Sequence, residues 1–285
     1  MKSAVLLVAS AHLNYTLPKD HPARLPVLHH FASALSGLRL ALAEEINASN
    51  VESIIGCSIL LAYYSWSRTE WDSTVETDVT IPFLEILAFL QGIKDCVLVV
   101  YSIWSIAGWS KVMTYRPKIA MQRYVLQSQG QAGKCRILFD HCLHCGLRTI
   151  DDGNASDDNV KAMDRLILAF EVIKISHPDL KGSGCFHDVV RYLFTWPTFC
   201  TRGFAQQVKE RNPVSMTILL YYYAAIVYVF PDEIWWAKER AQLMFDGLRL
   251  ELEGRCDICT GPAIDLCNSK VFKDRKDLCW TPWLS

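Results

Sequence analysis

The sequence has no surplus of charge of either sign. Lys and Arg number 29 against 30 Asp and Glu in 285 residues, a formal net charge of -1. A protein that grips nucleic acid by itself carries a basic excess that replaces counterions along the phosphates. Its absence argues against direct DNA binding by this chain. Glycine (14) and proline (11) are too scarce for a collagen-like or low-complexity sequence. Charged residues are only 21%, against 51% hydrophobic and 11% aromatic, the reverse of the balance that keeps a chain disordered. No repeat of 20–50 residues recurs. There is no G-x-S-x-G, H-E-x-x-H, P-loop or dinucleotide-binding glycine fingerprint. What remains is a neutral, aromatic-rich globule, long enough to bury about three quarters of its unfolded surface.

Cysteine is plentiful but unpatterned. The eleven residues are an odd number scattered from Cys57 to Cys279. Single positions such as Cys57, Cys96, Cys185 and Cys200 read as buried thiols rather than a disulfide framework. Residues 4–11 imitate a secretory leader, but eight apolar residues behind one lysine read better as a core helix. Asn212 to Pro231 carries no charge. Its Pro213, Ser215, Thr217 and Tyr221-Tyr222-Tyr223 favour the buried centre of a helical bundle over a membrane span.

Apolar residues recur mostly at helical spacing. Val27, Phe31, Ala34, Leu35, Leu38 and Leu42 form one helix face. Ser49-Asn50-Val51-Glu52 has capping-box spacing and predicts a helix with Ile54, Ile55, Ile59 and Ala62 inward. Thr80-Ile81-Pro82 starts another. Cys96 to Tyr101 could be a short strand, but lies inside a longer helical pattern. Asp157 or Asp158 caps a helix with Met163, Ile167, Phe170 and Ile173 on one side. Asn212-Pro213 is a cap followed by a first-turn proline. Asp232 caps a helix with Ile234, Ala241, Met244, Phe245, Leu248 and Leu252 inward and Lys238, Glu239, Arg240 and Glu253 outward. The whole reads as all-α, a single large irregular array of about nine to eleven helices over residues 1–254. Residues 255–285 form a tail or cap.

Four groups carry chemistry to be weighed. His141, Cys142 and Cys145 place imidazole and thiol on one helical face, a weak zinc candidate without a signposted fourth ligand; ordinary packing explains them better. Cys256, Cys259, Cys267 and Cys279 open like a zinc site but lack a second C-x2-C. Asp151-Asp152 and Asp157-Asp158 evoke the Mg²⁺-binding aspartates of a terpene synthase-like cyclase. Their spacing fits a solvated, helix-capping loop instead. Tyr221, Tyr222, Tyr223, Tyr228, Trp235 and Trp236 either line an apolar cavity or fill the core.

Several stretches together resemble the C-terminal regulatory domain of fungal zinc-cluster transcription factors of the sterol uptake control type. They are Ala4 to Leu13 with its Ala-x-His-Leu ending, His29 to Leu42, Cys57 to Ala62, Trp71, and Phe89-Leu90-Gln91-Gly92-Ile93. Pro213 to Tyr228, Trp235-Trp236-Ala237-Lys238 and the closing Trp280-Thr281-Pro282-Trp283 follow in order. Two departures stand out: Glu239-Arg240 follows Lys238 where the family has a Gly-Trp segment, and no zinc cluster precedes the domain. The resemblance implies a non-enzymatic regulatory domain in nucleus or cytoplasm that needs no cofactor. It implies transcriptional protein partners, allows a homodimer, and offers an apolar ligand such as a sterol, with Tyr222, Trp235 and Trp236 as ligand-binding residues. The alternative is an all-α enzyme acting on an apolar substrate, such as a terpene synthase-like cyclase.

Overall fold

The computed structural model describes residues 1–17, 27–47, 49–67, 79–104, 116–128, 157–176, 179–230, 234–254 and 256–267; for 95–104, 235, 238, 257 and 258 it describes the backbone alone. The architecture is all-α. Eleven α-helices occur among the described residues, and no strand. They are α1 (Lys2–Thr16), α2 (Val27–Ala43), α3 (Val51–Ser67), α4 (Thr80–Trp104), α5 (Pro117–Gln127), α6 (Asp157–Ser176), α7 (Phe186–Thr195), α8 (Arg202–Lys209), α9 (Pro213–Val229), α10 (Trp235–Glu251) and α11 (Asp257–Cys267). A 3₁₀ turn, Trp196–Phe199, follows α7. The β-branched run from Cys96 to Tyr101 stays helical inside α4.

The chain divides into two compact units. The first comprises Met1–Asp72, Glu85–Tyr115 and Trp235–Arg240; the second comprises Ser73–Leu84, Arg116–Ile234 and Ala241–Ser285. In the first, α1 and α2 pack on each other and both pack on α3. Ala4, Leu7, Ala34, Cys57, Leu61 and Tyr64 form its buried core, with Phe31 and Leu38 against it. Small residues at the crossing let the helices approach closely: the Ser3 and Ser33 hydroxyls sit 3.0 Å apart. The Phe31 and Tyr64 rings meet at 5.1 Å. Arg240 is a correction to the sequence reading. Its charge placed it outward, yet it is buried, and its guanidinium donates to the Ser65 carbonyl. A buried charge is costly unless hydrogen-bonded, so this contact ties the start of α10 to the end of α3.

In the second unit α9 is the centre. Every residue from 214 to 226 is buried, and α6, α7, α8 and α11 all pack on it. A helix apolar around its whole circumference needs such an all-round shell. Its start is fixed locally: Asn212 Oδ1 accepts from the backbone N–H groups of Val214 (3.0 Å) and Ser215 (3.3 Å), with Pro213 in the first turn. The residue before it completes α8. The Arg211 N–H donates to the Val208 carbonyl and the Asn212 N–H to the Gln207 carbonyl, both at 2.9 Å. This is the paired closure of a Schellman motif, which requires positive φ at its centre; Arg211 supplies it at 56°. The axes of α8 and α9 turn by 102° at this joint. No single helix among the described residues is long and apolar enough to cross a membrane, though α8 and α9 taken together pass that test by composition.

The capping box expected at Ser49 and Glu52 does not form. Ser49 donates its hydroxyl to Asn47 Oδ1 (2.6 Å), and the Asn47 N–H donates to Asn50 Oδ1 (2.9 Å). A competing local turn has taken the hydroxyl the cap needed. Helix α3 begins at Val51 instead.

Candidate functional site

Tyr222 points into the packed interior of the second unit. It is fully buried. Its ring stacks on Trp196 at 4.5 Å and 26°, and Phe83 and Tyr223 approach its edges at 6.4 Å and 5.1 Å. Phe204 closes the cluster against Trp196 at 5.9 Å. The Tyr222 hydroxyl donates to the Leu193 carbonyl (3.1 Å), and the Trp196 indole N–H donates to the Ala162 carbonyl (3.1 Å). Burial holds the Tyr222 phenol well above its ordinary pKa, so it remains a neutral donor. Aromatic rings in stacked and edge-on contact at these separations fill a core. Trp236 belongs to the first unit, where its ring lies 4.6 Å from Tyr63. Trp235 occupies the first position of α10, where the backbone alone is described. Tyr222 and Trp236 therefore belong to different units, each with aromatic neighbours of its own.

His141, Cys142 and Cys145 lie outside the described residues, as do Asp151, Asp152, Cys279 and the closing Trp-Thr-Pro-Trp. Asp157 begins α6 and pairs with Lys161 one turn on. That arrangement is a helix-terminal carboxylate answered by an i,i+4 lysine. Among the described residues no group of three or more His, Cys, Asp or Glu side chains converges on a point. Cys259 is buried on α11, and Cys267 has its thiol pushed up to about 11, by burial first and then by the Asp246 carboxylate. A metal needs thiolate, and this environment favours the thiol. Cys57, Cys185 and Cys200 are buried thiols, each raised above its usual range chiefly by burial.

A different feature of the second unit is open to a ligand. Helices α5 and α6, closed at one side by Tyr192 of α7, enclose a groove of about 700 Å³. Its floor includes the buried side chains of Val125 and Ile167, and Leu126 stands over it 78% exposed. Lys118, Lys161 and Arg165 bring three cations to it, and Asp164 and Glu171 two carboxylates. The Arg165 guanidinium lies over the Phe199 ring, 4.6 Å from its centre. The Tyr192 hydroxyl donates to the Arg165 carbonyl (2.8 Å), and burial pushes that phenol up to about 12. Tyr192 is thus a fixed wall rather than a proton carrier. The Ser176 and Tyr124 hydroxyls lie 3.0 Å apart, a further contact between α6 and α5. An apolar floor with a rim of mixed charge suits an elongated amphiphile. Sequence reasoning missed this groove, because its walls come from residues some forty apart. The one local signal was the apolar Leu126 among Gln122, Arg123 and Gln127.

No family model, curated protein or solved structure matches the chain.

Proposed function

We propose that this chain is a ligand-responsive regulatory domain of the kind found in fungal zinc-cluster transcription factors, acting through protein partners in nucleus or cytoplasm rather than by touching DNA. The observation that carries the reading is the open, apolar-floored groove between α5 and α6, with Lys118, Lys161 and Arg165 at its rim. The order of elements supports it. Six of the stretches that carry the resemblance fall on helices: Ala4 to Leu13 on α1, His29 to Leu42 on α2, Cys57 to Ala62 on α3, Phe89 to Ile93 on α4, Pro213 to Tyr228 on α9 and Trp235 to Lys238 on α10; Trp71 and Trp280 to Trp283 lie outside the described residues. Ligand sensing moves in this reading from Tyr222, which is enclosed by its own ring cluster, to the groove. The mechanism is a population shift: a ligand seated between α5 and α6 favours the packing in which those helices stay together, and partner affinity follows that packing.

The test is thermal unfolding of the purified full chain with sterols and long-chain fatty acids. A ligand present at one hundred times its Kd adds about 2.7 kcal/mol, several degrees in Tm. Leu126→Glu, which puts a carboxylate over the floor, should abolish the shift while leaving the ligand-free Tm unchanged. A panel that produces no shift, together with no lipid co-purifying in mass spectrometry, would sink the ligand-sensing reading.

A further inference from the structure

The first turn of α11 carries chemistry that the groove does not use. Cys256 and Cys259 are thiols three residues apart at the start of this helix. Cys256 stands just before Asp257, the first residue of α11, and its carbonyl accepts from the backbone N–H groups of Cys259 (2.9 Å) and Thr260 (3.1 Å). It is therefore the N-cap, and Cys259 is the third helical residue. A turn closed by a hydrogen bond between its first carbonyl and its fourth N–H keeps the two end Cα atoms within about 7 Å. A disulfide spans about 4.4–6.8 Å between Cα atoms, so this backbone already sits at bridging range.

The two cysteines differ in access. Cys256 is half-buried, whereas Cys259 is fully buried. One sulfur can meet a reagent from solvent and the other can only answer from inside. Reactive thiols concentrate at partly exposed helix N-termini and in C-x-x-C pairs; Cys256 meets both conditions. The other four described cysteines do not compete. Burial first, then the Asp246 carboxylate, pushes the Cys267 thiol up to about 11, and burial raises Cys57, Cys185 and Cys200. Pro262 loosens the same turn. It lies inside α11 and has no N–H to give the Ile258 carbonyl, so one hydrogen bond between the first turn and the next is missing. A covalent link at the start of α11 would fasten that turn. Because α11 packs on α9, the link acts on a helix that borders the centre of the second unit.

We propose that Cys256 and Cys259 are a reversible redox pair that cycles between dithiol and disulfide. The oxidant is a low-molecular-weight disulfide such as oxidised glutathione. The Cys256 thiolate attacks one sulfur of that disulfide; its S–S bond breaks and one glutathione thiolate leaves. The Cys259 sulfur then attacks the mixed disulfide at Cys256, and its proton passes to the second departing glutathione. Two protein thiols become one disulfide, one glutathione disulfide becomes two thiols, and two electrons pass from protein to glutathione. Excess glutathione drives the same exchange backwards.

The experiment is peptide mapping of the full chain after equilibration with reduced and oxidised glutathione in varied ratio, followed by alkylation of the remaining thiols. Trypsin cuts after Arg255 and Lys270, so Cys256, Cys259 and Cys267 leave in one peptide. With rising oxidant this peptide should lose two hydrogens and carry its alkyl group on Cys267 alone, and dithiothreitol should restore it. Cys259→Ala should trap a glutathione adduct on Cys256. Cys256→Ser, which keeps a good N-cap, should leave Cys259 without an adduct. In the native reduced chain Cys256 should alkylate at least about tenfold faster than Cys267, whose rise from 9.0 to about 11 leaves it about a hundredfold poorer in thiolate than the free group. Three results would each overturn the proposal: all three cysteines of the peptide alkylated at every ratio; a bridge from Cys256 or Cys259 to another cysteine in place of the bond between them; or one zinc ion per chain that survives dialysis and is lost from both variants, which would make the pair metal ligands.

Discussion

Truncating Tyr222 separates a core residue from one that lines a cavity. In Tyr222→Ala the stack on Trp196 at 4.5 Å and the edge contacts with Phe83 and Tyr223 are lost together. The side chain is fully buried, with α9 enclosed by four helices, so little can collapse into the gap. Aromatic-to-alanine changes in such settings cost about 3–5 kcal/mol. For a unit of this size each kcal/mol moves Tm by roughly 2–4 °C. The expected fall is therefore about 6 °C or more, read by circular dichroism and by intrinsic tryptophan fluorescence. Tyr222→Phe removes only the hydroxyl. The Leu193 carbonyl keeps the Trp196 backbone N–H as a donor, so the cost should stay near 1 kcal/mol. A residue on the wall of an open cavity would show neither the large loss nor the large gap between the two variants. A fall of less than 2 °C for Tyr222→Ala would refute the packing argument.

Three further expectations follow from the same geometry. Asn212→Ala strips the acceptor from two N–H groups at the start of α9 and should cost about 1 kcal/mol, seen as a lower urea midpoint at unchanged m-value. Ser215 is buried and donates to Asn159 Oδ1 at 2.8 Å, while the Asn159 amide donates to Gln207 at 2.5 Å; Ser215→Ala should cost about 1–3 kcal/mol, and the isosteric Ser215→Cys should not restore it. The Cys267 thiol, at about 11 in the folded chain against 9.0 for the free group, contributes stability that is complete below about pH 9. That contribution is lost as pH rises towards 11, because only the unfolded chain ionises in that window; Cys267→Ser should flatten this part of a Tm-against-pH profile.

Local chemistry in the sequence marked some elements well. A first-turn proline located two helix starts, Thr80-Ile81-Pro82 for α4 and the capping Asn212 with Pro213 for α9, because such signals act within one turn. The run from Asn212 to Pro231 correctly implied a helix buried on all sides. Helix α8 escaped notice. It is eight residues long, and its cap is Thr201 accepting from the Phe204 N–H (3.1 Å), too small a pattern to stand out. Ser49 was misread because Asn47 competes for its hydroxyl. Arg240 was misread because its partner, the Ser65 carbonyl, is 175 residues away. The candidate site follows the same division. Tyr222 was identified as one of an aromatic group, but whether rings fill a core or line a cavity depends on Phe83, Trp196 and Phe204, which arrive from three other segments.

The joint between α8 and α9 has a mechanical consequence. Asn212 is at once the residue whose N–H closes α8 and the residue whose side chain opens α9, so the elbow contains no spare residue. One residue inserted between Asn212 and Pro213, with Asn212 still closing α8 and capping α9, would advance everything beyond it in α9 by about 100° around the helix axis. Tyr222 would then face away from Trp196, and a helix with no solvent side has nowhere to absorb that rotation. The length of this corner, more than the identity of any side chain within it, sets the register of the whole second unit.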